Sequence, residues 1–510
     1  MDILLAKPRN TRRHKIQRYA IAGTILVVII FGVAALPVAF LYFAGLSKKD
    51  VENAGNEPSD ATRPNHLQTI KTSPLKNSQP VAFVDVNVIP MDKEQVVPHQ
   101  TVITRNGKIS EIGPVDQIQI PAGTLRIDGR GKYLIPGFAD MHVHFADDRN
   151  VNNALVQLFI ANGVTTVLNM RGSEVHLDLR KGIANGSILG PTIYTCGPFI
   201  NEPVVRTPAQ VERAVIEQKK AGYDFIKIHG DLSKEAYHRL MLVAHRESIR
   251  VVGHAPRNLG INAVFEEHQD AVAHGEEYLY AYFYFNKDRS METTDEETRK
   301  KYYASQEAKI PQVAEATAKA GTWVIPNLVA YQNIAEQVDD LDAVLKRPEM
   351  KYVIPFIATH WLPDRNTYKR RFTHGDAQYF LAQYVLLEKM TRGFRDAGVR
   401  MMAGTDAMNP SVVPGFSIHK ELQDLVAAGL TPYQALLTAT ANPADFLGTL
   451  NTSGTIALGK TADMILLDKN PLDDIRNTSN QFGVMVHGQW LSKDDIKKIL
   501  ENLDESRIEN

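Results

Sequence analysis

Pro136-Gly-Phe-Ala-Asp-Met-His142-Val-His144 is a short apolar run that ends in two histidines, two residues apart. On a β-strand residues i and i+2 share one face, so His142 and His144 can reach one ion together. Taken alone, the pair reads more readily as two exposed or locally bonded histidines. Recurrence changes that. Asp224-Phe-Ile-Lys227-Ile-His229, Val251-Val-Gly-His254, Val272-Ala-His274-Gly and Met402-Ala-Gly-Thr-Asp406 are four further apolar runs, each ending in a side chain that can bind an ion or carry a proton. A lysine at the end of an apolar strand stands out, because burying an unpaired ammonium is costly. It implies either a buried salt bridge or a chemically modified amine.

Working outward from these runs, residues 135–445 alternate short apolar segments with amphipathic ones, a βα pattern that implies a parallel sheet. The strand candidates are Leu134–His142, Val164–Asn169, Thr192–Thr195, Phe225–His229, Val251–His254, Ala271–His274, Thr322–Pro326 and Arg400–Gly404. Eight βα units in about 300 residues predict an α/β fold of the closed (β/α)8 TIM-barrel type, with its active site at the C-terminal rim. Residues 80–134 and 446–510 show β-like runs instead: Val81–Val88, Gln100–Thr104, Thr124–Ile127, Ile456–Leu467 and Phe482–Trp490. The two flanks are expected to pair as one small composite β-sandwich domain, followed by a C-terminal helix. The connection 331–398 is long for a βα loop and is expected to form a lid or an oligomer contact.

The N-terminus differs in kind. Residues 1–18 carry six basic side chains (Lys7, Arg9, Arg12, Arg13, Lys15, Arg18) against Asp2, and no charge follows from Tyr19 to Ser47. A bilayer takes roughly 20 apolar residues to span, whereas the apolar core of a cleavable signal peptide is ~7–15 long. The expectation is a basic cytoplasmic tail over 1–18 and a single uncleaved transmembrane helix over 19–47. A flexible linker over 48–79 follows, leading to a catalytic body that is periplasmic or otherwise extracytoplasmic. In the whole chain 57 basic residues balance 58 acidic ones, which argues against nucleic acid as a partner. The single cysteine, Cys196, rules out an internal disulfide and a cysteine-based metal site, leaving His, Asp, Glu or a modified Lys as ligands.

The set His142-x-His144, Lys227, His254, His274 and Asp406 resembles the metal centre of the amidohydrolase superfamily, nearest its imidazolonepropionase-like and Xaa-Pro dipeptidase-like hydrolases. The resemblance runs from about 81 to 475 and takes in Gly415-Phe-Ser-Ile-His-Lys-Glu-Leu, Asn442-Pro-Ala and Gly459-Lys-Thr-Ala-Asp-Met-Ile-Leu-Leu. It implies two divalent metal ions, with Zn²⁺ first among them for a nitrogen and oxygen donor set. His142, His144 and Asp406 would hold the more buried ion and His254 and His274 the second. Lys227, N-carboxylated, would bridge them, and Asp406 would carry the proton in catalysis. The implied activity is metal-dependent hydrolysis of an amide bond in a dipeptide or N-acyl amino acid. A cyclic amide or lactone is the alternative substrate, and a catalytically dead barrel acting as a binding scaffold is the alternative of another class. Substrate contacts are expected from Arg171, which can grip a carboxylate through two N–H groups, and from His229, beside Lys227. Tyr278 and Tyr280, in the aromatic-rich stretch 276–285, are expected to line a pocket.

Overall fold

The computed structural model describes residues 79–508 other than 203, 284–295, 354–357 and 359. The expected tail, anchor and all but the last residue of the linker lie outside the described residues. No helix among the described residues is long and apolar enough to cross a membrane.

The first five strands, β1 (Val81–Val88), β2 (Val97–Arg105), β3 (Lys108–Pro114), β4 (Leu125–Asp128) and β5 (Tyr133–Pro136), precede the barrel. Its strands are β6 (Phe138–Val143), β7 (Val164–Asn169), β8 (Thr192–Thr195), β9 (Phe225–Ile228), β10 (Arg250–Gly253), β11 (Ala271–Ala273) and β12 (Trp323–Ile325). After the barrel come β13 (Met464–Leu467), β14 (Gln481–Val486) and β15 (Gln489–Ser492), then a helix over Lys493–Ile508. Strands β6–β7–β8 and β9–β10–β11–β12 form two parallel sheets. Single parallel bridges join them into a ring: Cys196 with Phe225, Val324 with Met401, and Val143 with Ala407. The segment 401–407 is thus the eighth strand, closing the barrel against β6 through Met141 N–H to Ala403 O (2.9 Å) and Asp406 N–H to His142 O (2.7 Å).

Inside the barrel lie Ala139, Met141, Leu168, Phe225, Val252, Ala271, Ala273, Trp323, Ile325 and Met402, while Ile226, Ile228 and Val251 pack outward against helices. The period of two therefore sends Lys227 inward with Phe225. Gly404 must be glycine for the closure to work. A Cβ there would stand 2.5 Å from Ile325 Cγ2 and 3.0 Å from the His142 nitrogen.

The two flanks form one continuous sheet of order β15-β14-β13-β5-β1-β2-β3, with β4 also on β1, joined where β13 runs antiparallel to β5. A sandwich was expected. A single sheet results because β1 takes β2 along one edge and shares the other between β4 and β5, so the ladder never breaks. It wraps its own core of Val81, Phe83, Val86, Val102, Leu134, Leu466 and Met485. The run 134–142 is likewise not one strand. It breaks at Gly137, with β5 in the flanking sheet and β6 in the barrel, and a Cβ at Gly137 would meet Thr165 Oγ1 at 2.2 Å.

Candidate metal centre

The C-terminal ends of the strands bring the ionisable side chains together. One ligand atom each from His142, His274 and Asp406 lies within 4.8 Å of the others, and all three residues are buried. His144 Nε2 lies 2.9 Å and His142 Nε2 3.2 Å from Asp406 Oδ1. The His254 ring sits 4.6 Å from that of His274. Lys227 Nζ is 3.5 Å from His142 Nε2 and 3.6 Å from Met170 Sδ, and it forms no ion pair among the described residues.

Each side chain is aimed by a local device. The pairing of β6 with β7 slips between Asp140 and Val143, the kind of irregularity that re-aims side chains beside active sites. His274 follows the inward Ala273, so simple alternation would turn it out of the barrel. Its φ of 71° instead places it in the left-handed region, and its backbone N–H is fixed by Asn327 Oδ1 at 3.0 Å. Asp406 has a φ of 59° and Asn327 one of 52°. Non-glycine residues in this region cost of order 1–3 kcal/mol and cluster at functional sites.

The neighbouring residues set protonation and tautomer. His142 Nδ1–H donates to Asn327 Oδ1 (3.2 Å), which leaves Nε2 facing Asp406 and Lys227. Asn327 in turn donates to Gly404 O (2.7 Å). His254 Nδ1–H donates to Glu277 Oε1 (2.6 Å), and Glu277 is itself clamped by Arg257. Burial pushes the imidazoles of His142, His254 and His274 well below their ordinary value and lowers that of His144. They are therefore neutral at neutral pH, the state that ligates metal. Burial also pushes the Lys227 amine down to about 8. For Asp406, burial pulls upward, but His274, His144 and Lys227 outweigh it and hold the carboxyl below its ordinary value. Asp140 sits behind the cluster, accepting Thr405 N–H (2.9 Å) and Thr405 Oγ1–H (2.6 Å), and burial pushes its carboxyl up to about 7.

These residues fit a divalent cation. The donors are imidazole nitrogens and carboxylate oxygens alone, and His274 Nδ1 is buried with no hydrogen-bond partner, 3.9 Å from Asp406 Oδ2. A cation is what such an orphaned atom calls for.

The other expected contacts divide. Half-buried Arg171 lies at the rim with its guanidinium 3.6 Å from Asp147. His229 stacks on Phe199 (4.4 Å between centroids, 13° between planes) and meets His254 edge-on at 4.6 Å. Tyr280 lies beneath the Arg257 guanidinium at 4.3 Å. Tyr278 is a correction: it is fully buried, packed edge-on against Phe394 and bonded to Thr317, inside the helical layer. The stretch that alternates tyrosines from 278 to 284 begins as a helix, Glu276–Ala281, not a loop. A turn of 3.6 residues sends positions two apart to opposite sides.

Asn327, Asp140, Glu276 and Glu277 escaped the sequence. Asn327 had a usable signal, since it follows Ile325-Pro326 at a strand end as the ligands do. The connection after β12 forms helices over Leu328–Leu345, Thr367–Arg371 and Ala377–Asp396. The first of them begins directly after Asn327.

Residues 133–491 match the profile of the Amidohydrolase family. Adenine deaminase from Staphylothermus marinus is 25% identical over 213 residues, covering 37% of this chain and 34% of that protein. Imidazolonepropionase from Symbiobacterium thermophilum is 38% identical over 71 residues, covering 13% of this chain and 17% of that protein. The matched region is thus about a third or less of either relative's own length. The crystal structure of a Xaa-Pro dipeptidase with bound methionine in its active site superposes with a TM-score of 0.59 at 20% identity, over 81% of this chain and 100% of that one. At that identity the likeness is one of fold.

Proposed function

The chain belongs to the amidohydrolase family, and on that premise we propose that it hydrolyses the amide bond of a dipeptide or an N-acyl amino acid. The observation that carries this reading is the meeting of His142, His274 and Asp406 within 4.8 Å at the C-terminal rim. His142, His144 and Asp406 would hold one divalent ion and His254 and His274 a second, zinc being the best match to these donors. Lys227, N-carboxylated, would bridge them. An amine pushed down to about 8 is partly neutral at neutral pH, as carbamate formation requires. Bound there, divalent ions would supply hydroxide near neutral pH and polarise a carbonyl oxygen.

The chain's own residues perform the remaining steps. Asp406, kept ionised by His274 and His144, takes the proton of the attacking water and delivers it to the leaving nitrogen. Asn327 holds His142 in the tautomer that presents Nε2, and Glu277 does the same for His254. Arg171, at the rim beside Asp147, offers its guanidinium to a substrate carboxylate. His229 on Phe199 walls one side of the site. The uncharged stretch 19–47 behind six basic residues supports a membrane-anchored enzyme with its body outside the cytoplasm.

Elemental analysis of the full chain, purified without chelators, tests the centre. About two divalent ions per chain are expected, with Lys227→Ala losing one of them together with turnover. Unchanged metal content and turnover in that variant would overturn the bridging role.

A further inference from the structure

The loop that begins at Asp406 has an unusual backbone. Asp406, Met408 and Ser411 have φ of 59°, 87° and 67°, three non-glycine residues in the left-handed region within 406–411. Such residues are costly and persist only where their surroundings hold them. The barrel holds the near half of the loop: Ala407 N–H donates to Thr405 Oγ1 (3.2 Å) and His144 N–H to Ala407 O (3.1 Å). The far half closes on itself. Met408 N–H donates to Val412 O (3.2 Å) and Val412 N–H to Asn409 O (3.0 Å).

The helices inserted after β12 reach this closed turn from outside. Gln337, on the helix Leu328–Leu345, donates through Nε2 to Pro410 O at 2.9 Å and to Asn333 O at 3.0 Å. Proline has no N–H, so its carbonyl is the one backbone handle at this point of the loop. Gln337 Oε1 accepts from Asn366 Nδ2 at 2.7 Å. Asn366 Oδ1 accepts the N–H groups of Tyr368 and Lys369, both at 3.0 Å, and so caps the helix Thr367–Arg371. Both amides are fully buried. The two carbonyls facing Nε2 can only accept, which leaves the Gln337 amide a single orientation.

We propose that Gln337 is a positioning residue: backed by Asn366, it braces the loop 406–412 from the scaffold behind the rim and so sets the pose of Asp406. The assignment rests on the role given to Asp406 above and extends it to the helices between β12 and the eighth strand. A carboxylate that both ligates an ion and passes a proton tolerates little displacement, since a misplacement of ~1 Å can cost about 100-fold in rate. Neither amide titrates, so the brace is independent of pH.

The test compares the full-length wild type with Gln337→Met, Asn366→Ala and, as a control, Val338→Ala. Methionine is close to glutamine in size and flexible, so it removes the hydrogen bonds with little change in volume. Val338, the next residue on the same helix, is fully buried in the apolar core, and its truncation weakens the fold while leaving Gln337 in place. Zinc affinity is measured by chelator competition, and kcat and KM with leucyl-leucine. Gln337→Met is expected to lose about tenfold in zinc affinity and about tenfold in kcat at unchanged KM, as for residues that orient metal ligands. Asn366→Ala should lose a smaller part of both, and Val338→Ala should stay within twofold of wild type while unfolding at a lower temperature. Zinc affinity within twofold of wild type in Gln337→Met overturns the brace. An equal loss in Val338→Ala also overturns it, by making the effect one of general stability. If Gln337→Met does not fold, Asn366→Ala is judged against Val338→Ala by the same criteria. If the zinc-loaded wild type cleaves no amide, the proposed reaction fails, while zinc affinity still decides the role of Gln337.

Discussion

The two ends of the barrel are built to different rules. At the C-terminal rim, His142, His144, Lys227, His274 and Asp406 are all buried. Five non-glycine residues there or just beyond, His274, Asn327, Asp406, Met408 and Ser411, have positive φ. At the opposite end the chain enters the barrel from the flanking sheet through Gly137. There a cavity of about 150 Å³ has Thr165, Thr166, Thr192 and Thr440 among its lining residues. Thr440 Oγ1 donates to Leu436 O at 2.7 Å, an ordinary satisfied contact. The sheet beyond is closed by apolar packing around Phe83, Leu134 and Leu466. One end concentrates buried ionisable groups, while the other holds the fold together. Substitutions at the two ends should separate activity from stability.

The largest effect is expected at Asp406. Asp406→Asn keeps the shape but removes both the anionic ligand and the proton carrier, so kcat/KM should fall by on the order of 10²–10⁴-fold or more. Far-ultraviolet circular dichroism should be unchanged. Steady-state kinetics with added zinc decide the matter: activity within tenfold of wild type would mean the rim is not organised around this carboxylate.

The opposite pattern is expected at Phe83. It is fully buried, and its ring meets that of Trp490 edge-on at 5.2 Å. Phe83→Ala removes a large side chain from a closed core and should lower stability by about 3–5 kcal/mol. Denaturant unfolding measures the loss, and kcat below the transition should match wild type. A fall in kcat without unfolding would show that the flanking sheet reaches the rim mechanically, and the contrast between the two ends would dissolve.

How much of this was legible in the residues follows the same division. Phe225-Ile-Lys227-Ile reads as a strand with its lysine inward because alternation and apolar content agree, and the structure places Lys227 beside His142. The break at Gly137 was hidden, because β5 and β6 are both apolar and only the partner strands distinguish them. β3 was missed because Lys-Ile-Ser-Glu-Ile-Gly-Pro carries too few apolar residues to announce a strand held by its neighbour β2. Tyr278 was misplaced because a six-residue helix is too short for its period to show against alternating tyrosines. Asn327 escaped because it is neither charged nor a ligand. Its role appears only when Nδ1 of His142 and the backbone of His274, 132 residues apart in sequence (274 − 142), meet on one carbonyl oxygen.

The smallest effect concerns how far the rim extends. Glu421 is fully buried and accepts the Val329 backbone N–H at 2.8 Å, two residues past Asn327. Its other oxygen has no hydrogen-bond partner. Burial pushes its carboxyl up to about 8, with Asp424 adding to the rise. A carboxyl raised above its ordinary value of 4.5 in the folded chain stabilises the fold when protonated. That contribution is complete below about pH 4.5 and is lost as the pH rises through about 8. Glu421→Gln keeps an acceptor for Val329 and does not titrate. Its stability relative to wild type should therefore grow between pH 5 and 8.5, by on the order of 1–3 kcal/mol. Thermal unfolding of metal-free protein across that range measures it. If the variant also lowers kcat at pH 6, where the native carboxyl is mostly protonated, Glu421 positions the Asn327 corner and belongs to the rim. A change confined to the pH slope of stability places it in the scaffold, and the boundary between the two regions then falls between Asn327 and Val329.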